Sequence, residues 1–131
     1  MRKQHHIRIK TTMRIRINAI HINIVSTPHV LPSTHCHNPG GFASNAALNL
    51  EYWRAVDREY GICKTPVAAG SGSGGLQYAI VPGDADASIT AYRMNSNEPD
   101  VRMPEIGRTV IHDEGVALIR QWIDSLAGGC D

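Results

Sequence analysis

The sequence predicts a small, mainly α-helical domain with long loops, preceded by a strand-like or disordered N-terminal stretch. Three observations support this fold class: a helical repeat of apolar residues near the C-terminus, two long Gly/Pro/Ser-rich segments, and an abrupt change of composition between about residues 28 and 40. A chain of 131 residues with 42% hydrophobic and 19% charged residues has room for one folded domain. It contains no run of 18 apolar residues, so no membrane-spanning helix is predicted.

The N-terminal stretch, residues 1–32, differs in composition from the rest. Residues 1–50 carry six basic and no acidic side chains, whereas residues 51–131 carry a formal charge of −5. Between Ile7 and Ile24, isoleucine alternates with basic or polar residues, which is a strand pattern. One interpretation is a basic arm for nucleic acid or anionic lipid. The other is a non-native or poorly ordered leader, produced by a wrong start or a frame shift. No aromatic residue is interleaved to stack on bases, so we expect no nucleic-acid partner.

The clearest predicted helix covers residues 113–126, with His112 or Asp113 as its N-cap. Glu114 lies in its first turn, where the helix dipole favours an acid. Apolar residues recur at three- and four-residue spacing and predict one buried face: Val116, Ile119, Trp122, Ile123 and Leu126.

Two further helices are predicted, over residues 86–94 after the Pro82-Gly83 turn and over residues 46–60. In the first, Ile89, Tyr92 and the stem of Arg93 are expected to face inward. Long loops remain at residues 61–78 and 95–108. Loops of this length often enclose a bound group, and a cofactor would supply the apolar centre that a thin core lacks.

The residues with the most specific chemistry begin at Cys36-His37. Haem c is attached through a Cys-x-x-Cys-His motif, in which the histidine is the proximal iron ligand. This chain has the second cysteine and the histidine, but Ser33 stands where the first cysteine belongs.

From about residue 33 onward, the chain resembles the C-terminal haem domain of certain multi-haem c-type cytochromes of Gram-negative bacteria, and the wider set of planctomycete-type cytochrome modules. The resemblance extends over about 95 residues in order. The matching segments begin with Cys36-His37-Asn38-Pro39-Gly40-Gly41 and continue through residues 47–50, 61–70, 80–84, 87–94, 103–108, 112–115 and 122–123.

This resemblance implies a cytochrome c-like domain over residues 33–131 that binds haem and transfers one electron, rather than an enzyme. Cys36 would attach haem c, with a single thioether because of Ser33. His37 would ligate the iron on one face, and Met103 of the Met103-Pro104 pair would ligate it on the other. The thioether sulfur of Met103 would raise the reduction potential. Met94 is the competing methionine and is expected in the core, whereas His112 is expected to cap its helix. The family also implies a transient redox protein partner and a periplasmic location, although no signal peptide is visible.

Alternatives from other classes stay open. One is a haem-free structural or interaction domain. Another is a small metal-binding module that uses His35, Cys36, His37 and Cys63, although this spacing is not a standard zinc pattern. Cys63 can pair with Cys36 if no haem is attached, or with another cysteine in the family fold. Cys130, near the chain end, is expected to be exposed and incidental. The Gly-rich run at residues 70–75 lacks the Lys-Ser/Thr ending of a phosphate loop and predicts a flexible loop.

Overall fold

The computed structural model describes residues 31–131, and the predictions for residues 1–30 lie outside this part of the chain. Within residues 31–131 there are three α-helices: α1 over Leu31–Cys36, α2 over Ile89–Met94 and α3 over Asp113–Ser125. Two 3₁₀ turns cover Ser44–Ala46 and Gly70–Ser73. Within residues 31–131, β-structure is limited to three isolated bridges: Ile62 with Ile80, Tyr78 with Ser88, and Val81 with Asp84. The cytochrome c-like arrangement of these elements stays a prediction.

Helix α3 forms as the apolar repeat predicts. The Nδ1 atom of His112 accepts a hydrogen bond of 2.8 Å from the Gly115 amide, so His112 is the N-cap. The predicted apolar face is buried at four positions: Val116, Ile119, Trp122 and Ile123. The helix ends at Ser125, and the following Leu126 is extended.

Helix α2 is shorter at its N-terminal end than predicted. The carboxylate of Asp84 accepts a hydrogen bond from the Ala87 amide at 3.0 Å, which holds residues 84–87 in a turn. The hydroxyl of Ser88 donates to the Asp84 carbonyl and accepts from the Val81 amide, both at 2.8 Å. Because these local polar contacts engage the backbone, the helix begins only at Ile89.

The prediction for Tyr92 is wrong, because this residue is 39% exposed. Its ring packs against Gly74, where an added Cβ would come within 2.6 Å of the ring atoms. The predictions for the other two residues are confirmed, since Ile89 is buried and Arg93 is half-buried.

The predicted helix over residues 46–60 does not form. Ala47 has a φ of 52°, in the left-handed region, so the 3₁₀ turn ends there. Asn49 and Asp57 then use their side-chain oxygens to accept hydrogen bonds from backbone amides two or three residues onward. Such local contacts compete with the helical ladder, and they favour the observed turns.

The core lies between α2, α3 and the turns at residues 60–62 and 80–85. Tyr60 and Trp122 pack edge to face in it, with ring centroids 6.1 Å apart. The buried cluster comprises Tyr60, Ile80, Ala85, Ala91, Ile119, Trp122 and Ile123. Met94 is half-buried against this cluster, as predicted for a core methionine.

A disulfide joins Cys63 to Cys130. The expectation that Cys130 is incidental is therefore wrong. Of the alternatives for Cys63, the observed one is pairing with a cysteine other than Cys36. The bond ties the end of the chain to the turn that precedes the long 64–78 loop. The tail has a second contact there, because the Tyr78 hydroxyl donates to the Asp131 carbonyl at 3.2 Å.

In the part of the chain that the structure describes, no helix has both the length and the apolar character needed to cross a membrane.

Candidate functional site

The Cys36-His37 pair lies at the C-terminal end of α1, whose last residue is Cys36. The side-chain amide of Asn38 donates to two carbonyls of the last helical turn, at 3.0 and 2.9 Å. The amide of Ala43 donates to the Cys36 carbonyl at 2.9 Å. These contacts satisfy carbonyl groups that a helix end leaves without partners, so the position of the pair is well defined.

Gly41 allows the chain to fold back over this helix end. A Cβ at this position would lie 2.2 Å from the Cys36 carbonyl oxygen, a distance that no side chain tolerates. The returning chain then reaches Leu50, whose amide donates to the His37 carbonyl at 2.9 Å. The Thr34 hydroxyl donates to the Leu50 carbonyl at 3.2 Å. The Cys-His pair is therefore held from both sides by backbone contacts.

The imidazole of His37 is buried, with 8% of the residue exposed. Burial lowers the pKa of His37, the positive charge of Arg93 lowers it further, and the negative charge of Glu105 opposes this. The ring is therefore neutral at pH 7, the state in which a histidine nitrogen can bind a metal. Its Nδ1 atom is buried and has no hydrogen-bond partner among residues 31–131. A buried polar atom without a partner is costly, so this ring has an unfilled bonding requirement.

Cys36 is the free cysteine of the described chain and is half-buried. The other two cysteines are joined to each other, so Cys36 alone retains a thiol for covalent attachment. Cys36 and His37 are consecutive and are anchored together at the end of α1.

Met103 lies half-buried in the loop after α2. Its amide donates to the carbonyl of Arg93 at 3.0 Å, and its peptide bond to Pro104 is cis. Arg93 and Glu105, which flank this part of the loop in the sequence and the fold, both act electrostatically on His37. The joint ligation of one group by His37 and Met103 stays a prediction.

A second arginine fastens the far end of this loop. The guanidinium of Arg108 donates to the carbonyl of Met94 at 2.6 Å and to that of Ser96. Burial lowers the pKa of Arg108, and the charge of Arg102 lowers it further. The loop over residues 95–108 is therefore pinned to the end of α2 at both of its ends.

Two large apolar side chains that lie near the predicted ligands in the sequence are exposed. Phe42, five residues after His37, is 92% exposed, and Ile106, three residues after Met103, is 79% exposed. Single exposed apolar residues are common on proteins.

The alternative metal site is not assembled in the described chain. Cys63 is engaged in the disulfide and has no free thiolate. His35 is exposed, on the same helix end as Cys36 and His37. Among residues 31–131, no group of three or more His, Cys, Asp or Glu side chains is placed to hold a metal ion.

A cleft of about 260 Å³ lies between α2 and α3. None of the predicted ligands lines it, so it is separate from the Cys-His site. Its walls are formed by Ala85, Asp86, Ala91, Tyr92, Asn95 and Arg120.

Comparisons of the chain with protein-family models, with curated proteins and with solved structures gave no match.

Sequence reasoning did not find the charged residues that act on His37. The sequence predicts an inward apolar stem for Arg93 and assigns no separate role to Glu105. An arginine at the end of a helix that is followed by a Met-Pro loop is only a weak local indication that its charge acts on a distant side chain. The effect of Arg93 and Glu105 on a histidine far along the chain is visible only in the fold.

Proposed function

We propose that this chain is a haem-binding electron-transfer domain of the c-type cytochrome class. The observation that carries the proposal is the end of α1, where a half-buried free thiol immediately precedes a buried, neutral histidine. A thiol for covalent attachment and a neutral imidazole for the iron are the two groups that haem c requires next to each other.

The donor set fits haem iron. Imidazole nitrogen from His37 and thioether sulfur from Met103 form a ligand pair found in cytochromes c. When bound, the haem supplies reversible one-electron oxidation and reduction of its iron. The chain holds the group, excludes water and tunes its potential. In this proposal Cys36 attaches the porphyrin.

The Cys63–Cys130 disulfide supports a location outside the cytoplasm. Disulfides persist in oxidising compartments such as the bacterial periplasm, which the family resemblance also implies. We include a periplasmic location and a transient redox protein partner in the proposal. Such a partner would dock at an exposed haem edge over a small interface, as electron-transfer complexes do.

The test is covalent haem attachment. The chain is exported to a bacterial periplasm with an added signal peptide and a haem-attachment system, purified, extracted with acidic organic solvent and reduced in alkaline pyridine. We expect a sharp α-band that stays with the protein, at the position of a haem held by one thioether.

Cys36→Ser is the matched control, since it removes the attaching sulfur and keeps nearly the same size. Its haem should be removed by the extraction. A parent protein without Soret or α-band would overturn the proposal, and the haem-free structural or interaction domain would then be the better account.

A further inference from the structure

Arg93 occupies an unusual position at the end of α2. It is half-buried, and its guanidinium packs against Gly72, where an added Cβ would lie 3.2 Å from Cζ and 3.3 Å from Nε. The Asp100 carbonyl oxygen would lie 3.1 Å from the same Cβ. The guanidinium therefore fits a narrow space between the Gly70–Ser73 turn and the loop that carries Met103.

Arg93 makes two hydrogen bonds to that loop. Its Nε donates to the Val101 carbonyl at 2.7 Å, and its own carbonyl accepts from the Met103 amide at 3.0 Å. Between Arg93 and Val101, the Glu98 carbonyl accepts from the Val101 and Arg102 amides at 3.0 and 2.8 Å, which closes a turn. One residue thus fixes the loop immediately before Met103 through both its side chain and its backbone.

Arg93 takes part in none of the ion pairs found within residues 31–131. Its Nε donates to the neutral Val101 carbonyl, and the negative charge of Glu105 acts on it electrostatically. The planar guanidinium fixes the geometry of this hydrogen bond more tightly than a lysine would. Arg93 also acts electrostatically on His37.

We propose that Arg93 is the positioning residue that fixes Met103 relative to His37 and so sets the reduction potential of the bound haem. This inference rests on the proposed function. Loss of the hydrogen bond from Arg93 Nε to the Val101 carbonyl makes the loop more mobile. The sulfur of Met103 then binds the iron more weakly and is more easily replaced by an added ligand such as imidazole. Because methionine ligation raises the potential, loosening it lowers the potential.

The test compares Arg93→Gln and Arg93→Lys with the parent. Lysine keeps the charge but cannot reproduce the Nε geometry. The matched control is Arg58→Gln, since Arg58 is an exposed arginine that also donates to a backbone carbonyl, that of Cys63 at 3.3 Å, away from the methionine loop.

The first measurement uses the chain without haem. Hydrogen exchange of the Met103 amide should be faster in both Arg93 variants than in the parent and in Arg58→Gln. The second uses the haem-loaded proteins. The weak red charge-transfer band of methionine-ligated ferric haem should fade, the affinity for added imidazole should rise by about tenfold, and the potential should fall.

The outcomes separate this inference from the proposed function. Arg93→Gln with the parent's haem content, red band, imidazole affinity and amide exchange would overturn the inference alone. An Arg93→Lys variant that behaves like the parent would show that charge matters and geometry does not, and would also overturn it. A parent without covalent haem overturns the proposed function, and this inference with it.

Discussion

Cys63 and Cys130 are joined by a disulfide, with their Cα atoms 5.3 Å apart and a sequence separation of 67. The bond encloses both long loops and helices α2 and α3. It fastens the tail after α3 to the turn at Ile62, which is half-buried against the core. A thin core with few regular elements gains more from such a cross-link than a larger domain does.

The double variant Cys63→Ser/Cys130→Ser is expected to lose about 3–4 kcal/mol of unfolding free energy. The reason is that a closed loop of this length removes much chain entropy from the unfolded state. Denaturant unfolding of the purified proteins, all prepared without haem, measures it. Under this condition Cys36→Ser serves as the control, because Cys36 is outside the bond, and its midpoint should stay close to that of the parent.

A thiol count on haem-free chain gives a second check on the same bond. Chain exported without the haem-attachment system should show one reactive thiol under denaturing conditions before reduction, and three after it. Three thiols before reduction, or a double variant as stable as the parent, would contradict the prediction.

Gly74→Ala is expected to destabilise the domain more than Gly70→Ala. Both glycines have positive φ values, 60° and 51°, so both substitutions carry the conformational cost of about 1–2 kcal/mol. At Gly74 the new Cβ would also meet the Tyr92 ring at 2.6 Å, whereas at Gly70 nothing lies within 4 Å. Thermal melts of the two single variants measure the difference.

Tyr92→Ala tests the cause of that difference. In the double variant Gly74→Ala/Tyr92→Ala the clash between the new Cβ and the Tyr92 ring is absent. Relative to Tyr92→Ala alone, the loss of stability caused by Gly74→Ala should therefore fall to that caused by Gly70→Ala. An equal cost of Gly74→Ala with and without Tyr92 would argue against the contact.

The features predictable from the sequence are those encoded locally. Helix α3 follows from the apolar repeat, and the His112 cap follows from the residue types at its start. The late start of α2 does not follow from the sequence pattern. The side chains of Ser88 and Asp84 accept hydrogen bonds from backbone amides, and these contacts replace the helical hydrogen bonds that the pattern predicts. The same competition by Asn49 and Asp57 replaces the predicted helix over residues 46–60 with turns.

The candidate site divides in the same way. The Cys36-His37 pair and Met103 could be named from short motifs, and their roles toward haem stay predictions. The Cys63–Cys130 pairing could not be named, since three cysteines allow three pairings and no local signal selects one. The action of Arg93 on His37 depends on burial and on long-range packing, neither of which any sequence window contains.

Alkaline pH is expected to destabilise the fold through Tyr60. Burial raises the pKa of Tyr60 to about 12, above the value of about 10 for an exposed tyrosine. The neutral phenol of Tyr60 therefore makes its full contribution to the free energy of unfolding below about pH 10. The contribution, on the order of 2–3 kcal/mol, is lost as the pH rises from about 10 to about 12.

Denaturant unfolding across that range measures the loss. Tyr60→Phe has no group to ionise, so its stability should change less over the same interval than that of the parent. Tyr52→Phe, at an exposed position, is the control and should retain the full loss. A Tyr60→Phe variant with the same alkaline loss as the parent would assign the effect to another group.

Ser33→Cys is expected to increase covalent haem attachment, because it restores the Cys-x-x-Cys-His motif and allows a second thioether. After export with the haem-attachment system, the haem per chain should rise severalfold, and the α-band should move to the position of a haem held by two thioethers. Ser44→Cys adds a cysteine at an exposed site outside the motif and should leave both quantities unchanged. The double variant Ser33→Cys/Cys36→Ser has one attachment cysteine again, and its α-band should return to the position of a haem held by one thioether. A Ser33→Cys protein with the parent's haem content and band would show that Ser33 does not stand at an attachment position, and the haem alignment of this segment would be wrong.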